Sequence, residues 1–419
     1  MERIALACQR FRYVVVAGWL AVVVALSALS GAVGGEVSDD YDLPGSESHR
    51  AAELLTEAGF DFRTGTQGQL VFRVPESGAD EQFRSRVDAL AAEGLFRVVL
   101  IHHPPLVGQA APVRGLRDAP QLEGILDRHG AEIVLDGARF WASRVEWQQE
   151  TGRYEIHHVI GPDEYHEDVN NNVFTNRMAR WHLEAAQQVW GWLSAQHPDR
   201  ARALAGALTL DAAAFERWQH VIDHLYIPFD SARQIHIQYD DFFDLEPVDV
   251  LAFEPRVASL QTVFGFEAVQ HLRIIKQADV VMMMALLGEQ VGSPAVLGNN
   301  WDTYYPVCDH GSSLSPAVHA WVAARLGLID LAHGFFEHAA SIDLRDNKGN
   351  ARDGIHGASC GGLWQAMAFG LAGLHLTADG FALDPHLPPG WERLRFSVRY
   401  HGERYTMTIE GGESRIERT

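Results

Sequence analysis

The sequence predicts a mainly α fold closed by a small β domain, and two observations carry that prediction. Segments such as "RMARWHLEAAQQVWGWLSAQ", "PAVHAWVAARLGLIDLAHGFFEHAAS" and "GGLWQAMAFGLAGLHL" repeat apolar residues at helical spacing. Loops rich in Asp, Gly, Asn and His separate them, and such a scaffold, with its polar loops gathered at one end, suits an α/α toroid. The tail then changes period. Leu394, Phe396, Val398 and Tyr400 alternate with polar residues, His401-Gly402 supplies a turn, and Tyr405, Met407 and Ile409 alternate again. That is a β-hairpin.

The chain has 419 residues, is 47% hydrophobic and carries a formal net charge of -21. Its length suits two to three domains. The acidic balance argues against nucleic acid as a partner, since phosphate backbones call for clustered Lys and Arg. Three distant cysteines, Cys8, Cys308 and Cys360, imply neither a disulfide framework nor a Cys-based zinc site. The 11 Trp and 21 His suit a sugar-binding cleft or a Trp-rich helical core equally.

Four segments are expected: 1–73, 74–137, 138–375 and 376–419. In the first, Tyr13–Val33 is uncharged and apolar over 21 residues, long enough to span a bilayer. Arg3, Arg10 and Arg12 precede it and acidic residues follow, which puts the N-terminus in the cytoplasm and the rest outside. A signal peptide cut near Ser30–Gly35 is the alternative. The following "DYDLPGSESHRAAELL" resembles lipid exporters of the RND superfamily, without the further spans that transport needs. In the second segment, "FRVVLIHHPP" reads as a strand ending at His102-His103, and "LEGILDRHGAEIVLDG" as a helix, a Gly cap and another strand. This small α/β fragment resembles calcineurin-like metallophosphoesterases. Their other metal-binding motifs are absent, so the two histidines are expected to be inactive remnants.

The third segment opens on "ARFWASRVEW", read as helical, and soon reaches "GPDEYHEDVNNN", residues 161–172, which concentrates ionisable side chains behind a Gly-Pro. A solvated turn before an Asn-rich helix start is one reading; an acid/base loop is the other. Four ordered motifs favour the second: "VIGPDEYHEDVNNNVFTNRMARW", "IIKQADVV", "DHGSSLSPAVH" and "DGIHGASCGGLWQA". Together they resemble glycoside hydrolase family 65, which contains inverting phosphorylases of maltose, trehalose, kojibiose and nigerose. The resemblance implies a partial (α/α)6 barrel followed by the C-terminal β domain. The family's N-terminal β-sandwich and the first half of its barrel, with a Trp-Asp motif that grips glucose, have no counterpart in this chain. The Trp-Asp of "NWDTYYP" lies elsewhere.

By that resemblance Glu164 is the general acid, with Glu167 the runner-up. An inverting enzyme needs one acid on the glycosidic oxygen and a nucleophile on the opposite face of the sugar. Adjacent Asp163 and Glu167 are expected to help Glu164 keep its proton by like-charge repulsion. Lys276 and Gln277 resemble the family's sugar-binding pair, and a Lys inside the apolar "IIKQADVVMMM" calls for a partner or ligand. Ser312, Ser313 and His356 resemble the phosphate site, with Gly357, Gly361 and Gly362 allowing close backbone approach. Ser312 and Ser313 also read as a helix N-cap before Pro316. Asp309 and Asp353, the candidate bases of a hydrolase, read at least as well as His-orienting groups. No metal or organic cofactor is implied; inorganic phosphate is the co-substrate.

The expected function is phosphorolysis of an α-glucosyl disaccharide to β-glucose 1-phosphate and glucose. A family 65 hydrolase and an inactive, membrane-tethered composite protein stay open as alternatives, and so does a homodimer. The N-terminal segment points the catalytic part outside the cell, whereas phosphorolysis suits the cytoplasm.

Overall fold

The computed structural model describes residues 66–67, 97–98, 130–254, 258–347, 354–377, 380–400 and 403–418. The expected membrane segment Tyr13–Val33, the RND-like stretch, His102, His103 and Asp353 lie outside them. Among the described residues no helix is long and apolar enough to cross a membrane. Thr66–Gln67 pairs antiparallel with Arg97–Val98.

The first helical core begins with α1, Ala131–Arg144. Here the sequence reading is corrected: "AEIVLDG" is helix, not the closing strand of a phosphoesterase fragment. Ala131, Leu135, Ala138 and Ala142 are buried along one face at intervals of four, three and four residues. The buried stripe is carried mostly by alanines, while Ile133 stays 37% exposed, so the eye follows the wrong apolar residues. The helical reading of "ARFWASRVEW" also holds only as far as Arg144. A hairpin follows, β1 Glu146–Gln148 and β2 Arg153–Glu155, with Trp147 opposite Tyr154.

Helix α2, Val173–Gln196, packs on α1. It starts at Asn172, whose side chain accepts from Thr175 N at 2.9 Å and so satisfies one of the orphan donors of the first turn. Helix α3, Pro198–Leu208, has Pro at its first position and ends on left-handed Thr209. Helix α4, Ala212–His224, is capped by Asp211, which accepts from Ala214 N at 2.9 Å. Leu135, Leu183, Leu193, Leu204, Trp218 and Val221 fill the space among these four helices.

The second core holds α5 (Asp279–Leu287), α6 (Pro294–Tyr304), α7 (Ser315–Arg325), α8 (Ile329–Ser341) and α9 (Gly357–Gln365), the last running into a π-helical turn at Ala366–Leu371. The long apolar pattern over 316–341 is thus two helices, parted at Gly327 with φ +75°. Helix α5 is apolar on every side because α2, α6 and α7 surround it. Trp301, which the Trp-Asp of "NWDTYYP" had put in view, is 2% exposed in this core and stacks on Tyr305 at 5.2 Å.

The expected hairpin is present as β3 (Arg393–Tyr400) and β4 (Glu403–Glu410), with β5 (Glu413–Arg418) added at its edge. Leu394 pairs with Ile409, Phe396 with Met407 and Val398 with Tyr405. Leu394, Phe396, Val398, Met407 and Ile409 join the second core, where Phe396 meets Trp364 edge-on at 6.4 Å. A face buried at every second residue fixes this register, since a one-residue slip would expose all five. The outermost strand, "ESRIER", is charged along its length, which protects an open sheet edge.

Candidate active site

The stretch 161–172 is an ordered loop built around two buried carboxylates. Asp163 is 1% exposed. Its Oδ1 accepts from Lys276 N at 2.8 Å and from Tyr165 N at 3.2 Å. Its Oδ2 lies 2.7 Å from His166 Nδ1 and accepts from Gln238 Nε2 at 3.0 Å. His166 Nε2 meets Leu272 O at 3.0 Å, so each ring nitrogen faces an acceptor oxygen. The second carboxylate, Asp279 at the start of α5, accepts from Asp163 N at 2.5 Å and from Asn172 Nδ2 at 2.5 Å. Burial, and then the charge of Asp163, push the Asp279 carboxyl well above its ordinary range. Gly161 is required here, because a Cβ on it would run into Asp279 Oδ2 and sit 2.5 Å from Asn172 Nδ2.

Asp163 turns into the core and organises the loop, and its charge acts on Asp279. Glu164 itself projects outward, with its side chain 56% exposed, and Lys276 Nζ meets Glu164 Oε2 at 2.5 Å. The apolar run around Lys276 explains why it needs this partner: Ile274 and Ile275 are fully buried and α5 follows directly. Gln277 Nε2 donates to Pro162 O at 2.5 Å, and its Oε1 is buried without a hydrogen-bond partner. Glu164, Lys276 and Gln277 are therefore one cluster, brought together from positions more than 100 residues apart. Glu167 is exposed on the same loop, with its backbone N–H directed at Gln270 Oε1.

Residues 275 and 308 pair as parallel backbone, with Ile275 N on Val307 O at 3.0 Å and Asp309 N on Ile275 O at 2.7 Å. This ladder fastens the loop carrying Ser312 and Ser313 beside Lys276. Ser312 Oγ accepts from Leu314 N at 3.2 Å, just ahead of α7. The N-cap expectation is corrected: Leu314 is the cap residue, without a side-chain bond, and Ser312 closes the turn before it. Ser313 O accepts from Ser359 Oγ at 3.0 Å, which joins this loop to the first turn of α9. His356 caps that helix, so Ser312, Ser313 and His356 fall in one region. Asp343 Oδ1 lies 2.6 Å from His356 Nδ1, and its Oδ2 accepts from His356 N at 2.9 Å. Asp343 thereby holds both the backbone and the ring of His356. Gly362 serves helix packing, since a Cβ there would lie 3.0 Å from Ala317 Cβ of α7.

Asp309 is 3% exposed and binds the Tyr165 hydroxyl and, at 3.1 Å, Leu260 N. Burial and that carboxylate push the Tyr165 phenol up, which keeps it a neutral donor. The orienting partner of His356 is Asp343, which sequence reasoning missed; it sits in no motif and lies 13 residues upstream. Tyr165, Asn172 and Asp279 lie inside the motifs and Gln238 outside them, and all four were missed as supports because only the fold reveals what a buried polar group binds.

Residues 118–365 match the glycosyl hydrolase family 65 central catalytic domain, and residues 374–419 match the C-terminal domain of that family. The chain is 38% identical over 274 residues to a kojibiose phosphorylase of Halothermothrix orenii, covering 65% of this chain and 35% of the relative. It is 31% identical over 285 residues to a maltose phosphorylase of Bacillus subtilis, covering 68% and 37%. The chain thus spans about a third of the length of these curated relatives. A solved structure of the kojibiose phosphorylase kind, from human microbiome, shares the fold with a TM-score of 0.66 at 24% identity, over 74% of this chain and 42% of that one. The family profile covers more than half of the sequence, and the chain belongs to glycosyl hydrolase family 65.

Proposed function

We propose that the chain carries the acid and phosphate sites of an inverting phosphorylase acting on an α-glucosyl disaccharide such as kojibiose, maltose, nigerose or trehalose. The observation that carries this reading is the Glu164–Lys276 pair, presented outward on a loop held by buried Asp163 and Asp279. In the proposed reaction Glu164 protonates the glycosidic oxygen. Inorganic phosphate attacks the anomeric carbon from the other face, giving β-glucose 1-phosphate and free glucose. Ser312, Ser313 and His356 receive the phosphate, with Asp343 fixing the His356 ring. The buried tie of Asp309 to Tyr165 speaks against Asp309 as the base of a hydrolase. The helices are read as part of an (α/α)6 barrel, and Tyr13–Val33 as a membrane anchor on its length and flanking charges alone.

Two variants of the full chain separate the two halves of this chemistry. Glu164→Gln keeps the shape and loses the proton, and should lower phosphorolysis about 10²–10⁴-fold. His356→Ala removes a charge-assisted hydrogen bond worth roughly 1.5–3 kcal/mol, and should raise the phosphate KM about ten- to a hundred-fold where KM tracks binding. A Gln variant that keeps most of its activity moves the acid role to Glu167. An unchanged phosphate KM removes His356 from the phosphate site.

A further inference from the structure

The proposed reaction leaves a second group of chemistry-bearing side chains unused, at the start of α7. Cys308, His310 and His319 each offer one ligand atom, and these lie within 4.8 Å of one another. Cys308 Sγ is 3.6 Å from His310 Nδ1 and 3.6 Å from Ser315 Oγ. Ser315 Oγ is 2.9 Å from His310 Nδ1 and 3.3 Å from His319 Nδ1. A tetrahedral zinc ion, with Zn–S near 2.3 Å and Zn–N near 2.0–2.1 Å, separates its sulfur and nitrogen ligands by roughly 3.5 Å. The sulfur already stands at that spacing from His310.

An independent observation points the same way. His319 is 1% exposed, and its Nε2 is buried without a hydrogen-bond partner. Its Nδ1 is 2.9 Å from the Ser315 carbonyl, which fixes the proton on Nδ1 and leaves the lone pair on Nε2. A backbone bond of this kind is the usual outer support of a metal-binding imidazole.

We propose that Cys308, His310 and His319 form a site for a thiophilic divalent cation of the zinc class. Binding breaks the Cys308 S–H bond, forms a metal–sulfur bond and releases one proton to solvent. His310 and His319 bracket residues 311–318 in sequence, so a bound ion fastens the loop ahead of α7 to the helix. The proposal does not depend on the phosphorylase reading.

The test is cobalt titration of the chelator-treated full-length chain, since Co²⁺ held by a thiolate gives a near-ultraviolet charge-transfer band and a tetrahedral visible spectrum. The expected result is saturation at one ion per chain, with zinc abolishing both signals by displacement. The signals should persist in a Cys8→Ser/Cys360→Ser double variant, which keeps Cys308 as the single thiol. They should be lost in Cys308→Ser, and His310→Ala should weaken binding at least about tenfold. The His310 variant keeps the test decisive if the buried Cys308 change fails to fold, because His310 is only half-buried. No charge-transfer band in the wild type, a band that survives Cys308→Ser, or unchanged affinity in His310→Ala overturns the proposal.

Discussion

Asp279 shows how a single residue governs the acid loop from below. It holds the Asp163 backbone on one oxygen and the Asn172 side chain on the other, and Asn172 in turn starts α2. A carboxyl whose folded pKa lies above its ordinary 3.8 binds its proton more tightly in the native chain than in the unfolded one. Its contribution to stability is fully present below 3.8 and is lost as pH rises through the raised folded value. Asp279→Asn is neutral throughout and removes that slope. It also turns an amide N–H₂ toward the donor of Asn172, at a cost of about 1–3 kcal/mol for the unmatched buried group. Urea unfolding from about pH 4 to about pH 8 should show wild-type stability falling with pH relative to the variant. Parallel curves would show that Asp279 is ionised in the folded chain. None of this was legible beforehand: the sequence shows an Asp after "IIKQA", and only the fold buries it against Asp163.

At the scale of elements, legibility followed how strongly a residue's environment is written into its neighbours. Lys276 stood out because a charge inside an apolar run needs a partner, and Glu164 is that partner. The β3–β4 hairpin was legible because alternation and a turn specify one register. Helix α1 was misread because its buried stripe is mostly alanine, while Ile133 and Val134 suggested a strand. Apolarity alone is equally ambiguous about destination. Helix α5 is apolar all round yet nine residues long, which suits a protein core. Tyr13–Val33 is apolar over 21 residues, which suits a bilayer. As an anchor, it should keep the full-length chain in carbonate-washed membranes; intact chain recovered in the soluble fraction would remove the anchor from the account.

For the whole molecule, the proposed site draws on four segments between the helices: 161–172, the approach to α5 with Lys276 and Gln277, 307–315 and the approach to α9. Their sequence motifs were legible as a set, because each concentrates polar residues between helical segments. Their mutual support was not, since it runs through backbone atoms such as Ile275 N and O and through buried partners such as Asp343. The chain matches about a third of its curated relatives' length, so activity of the whole is the point that experiment must decide. The most direct measurement is cleavage of kojibiose, maltose, nigerose and trehalose by the purified full-length chain, with and without inorganic phosphate, followed by identifying the sugar phosphate and its anomeric form. The account predicts glucose and β-glucose 1-phosphate in equal amounts from at least one disaccharide, and only when phosphate is present. Cleavage at full rate without phosphate, an α-configured product, or no cleavage of any of the four would contradict it.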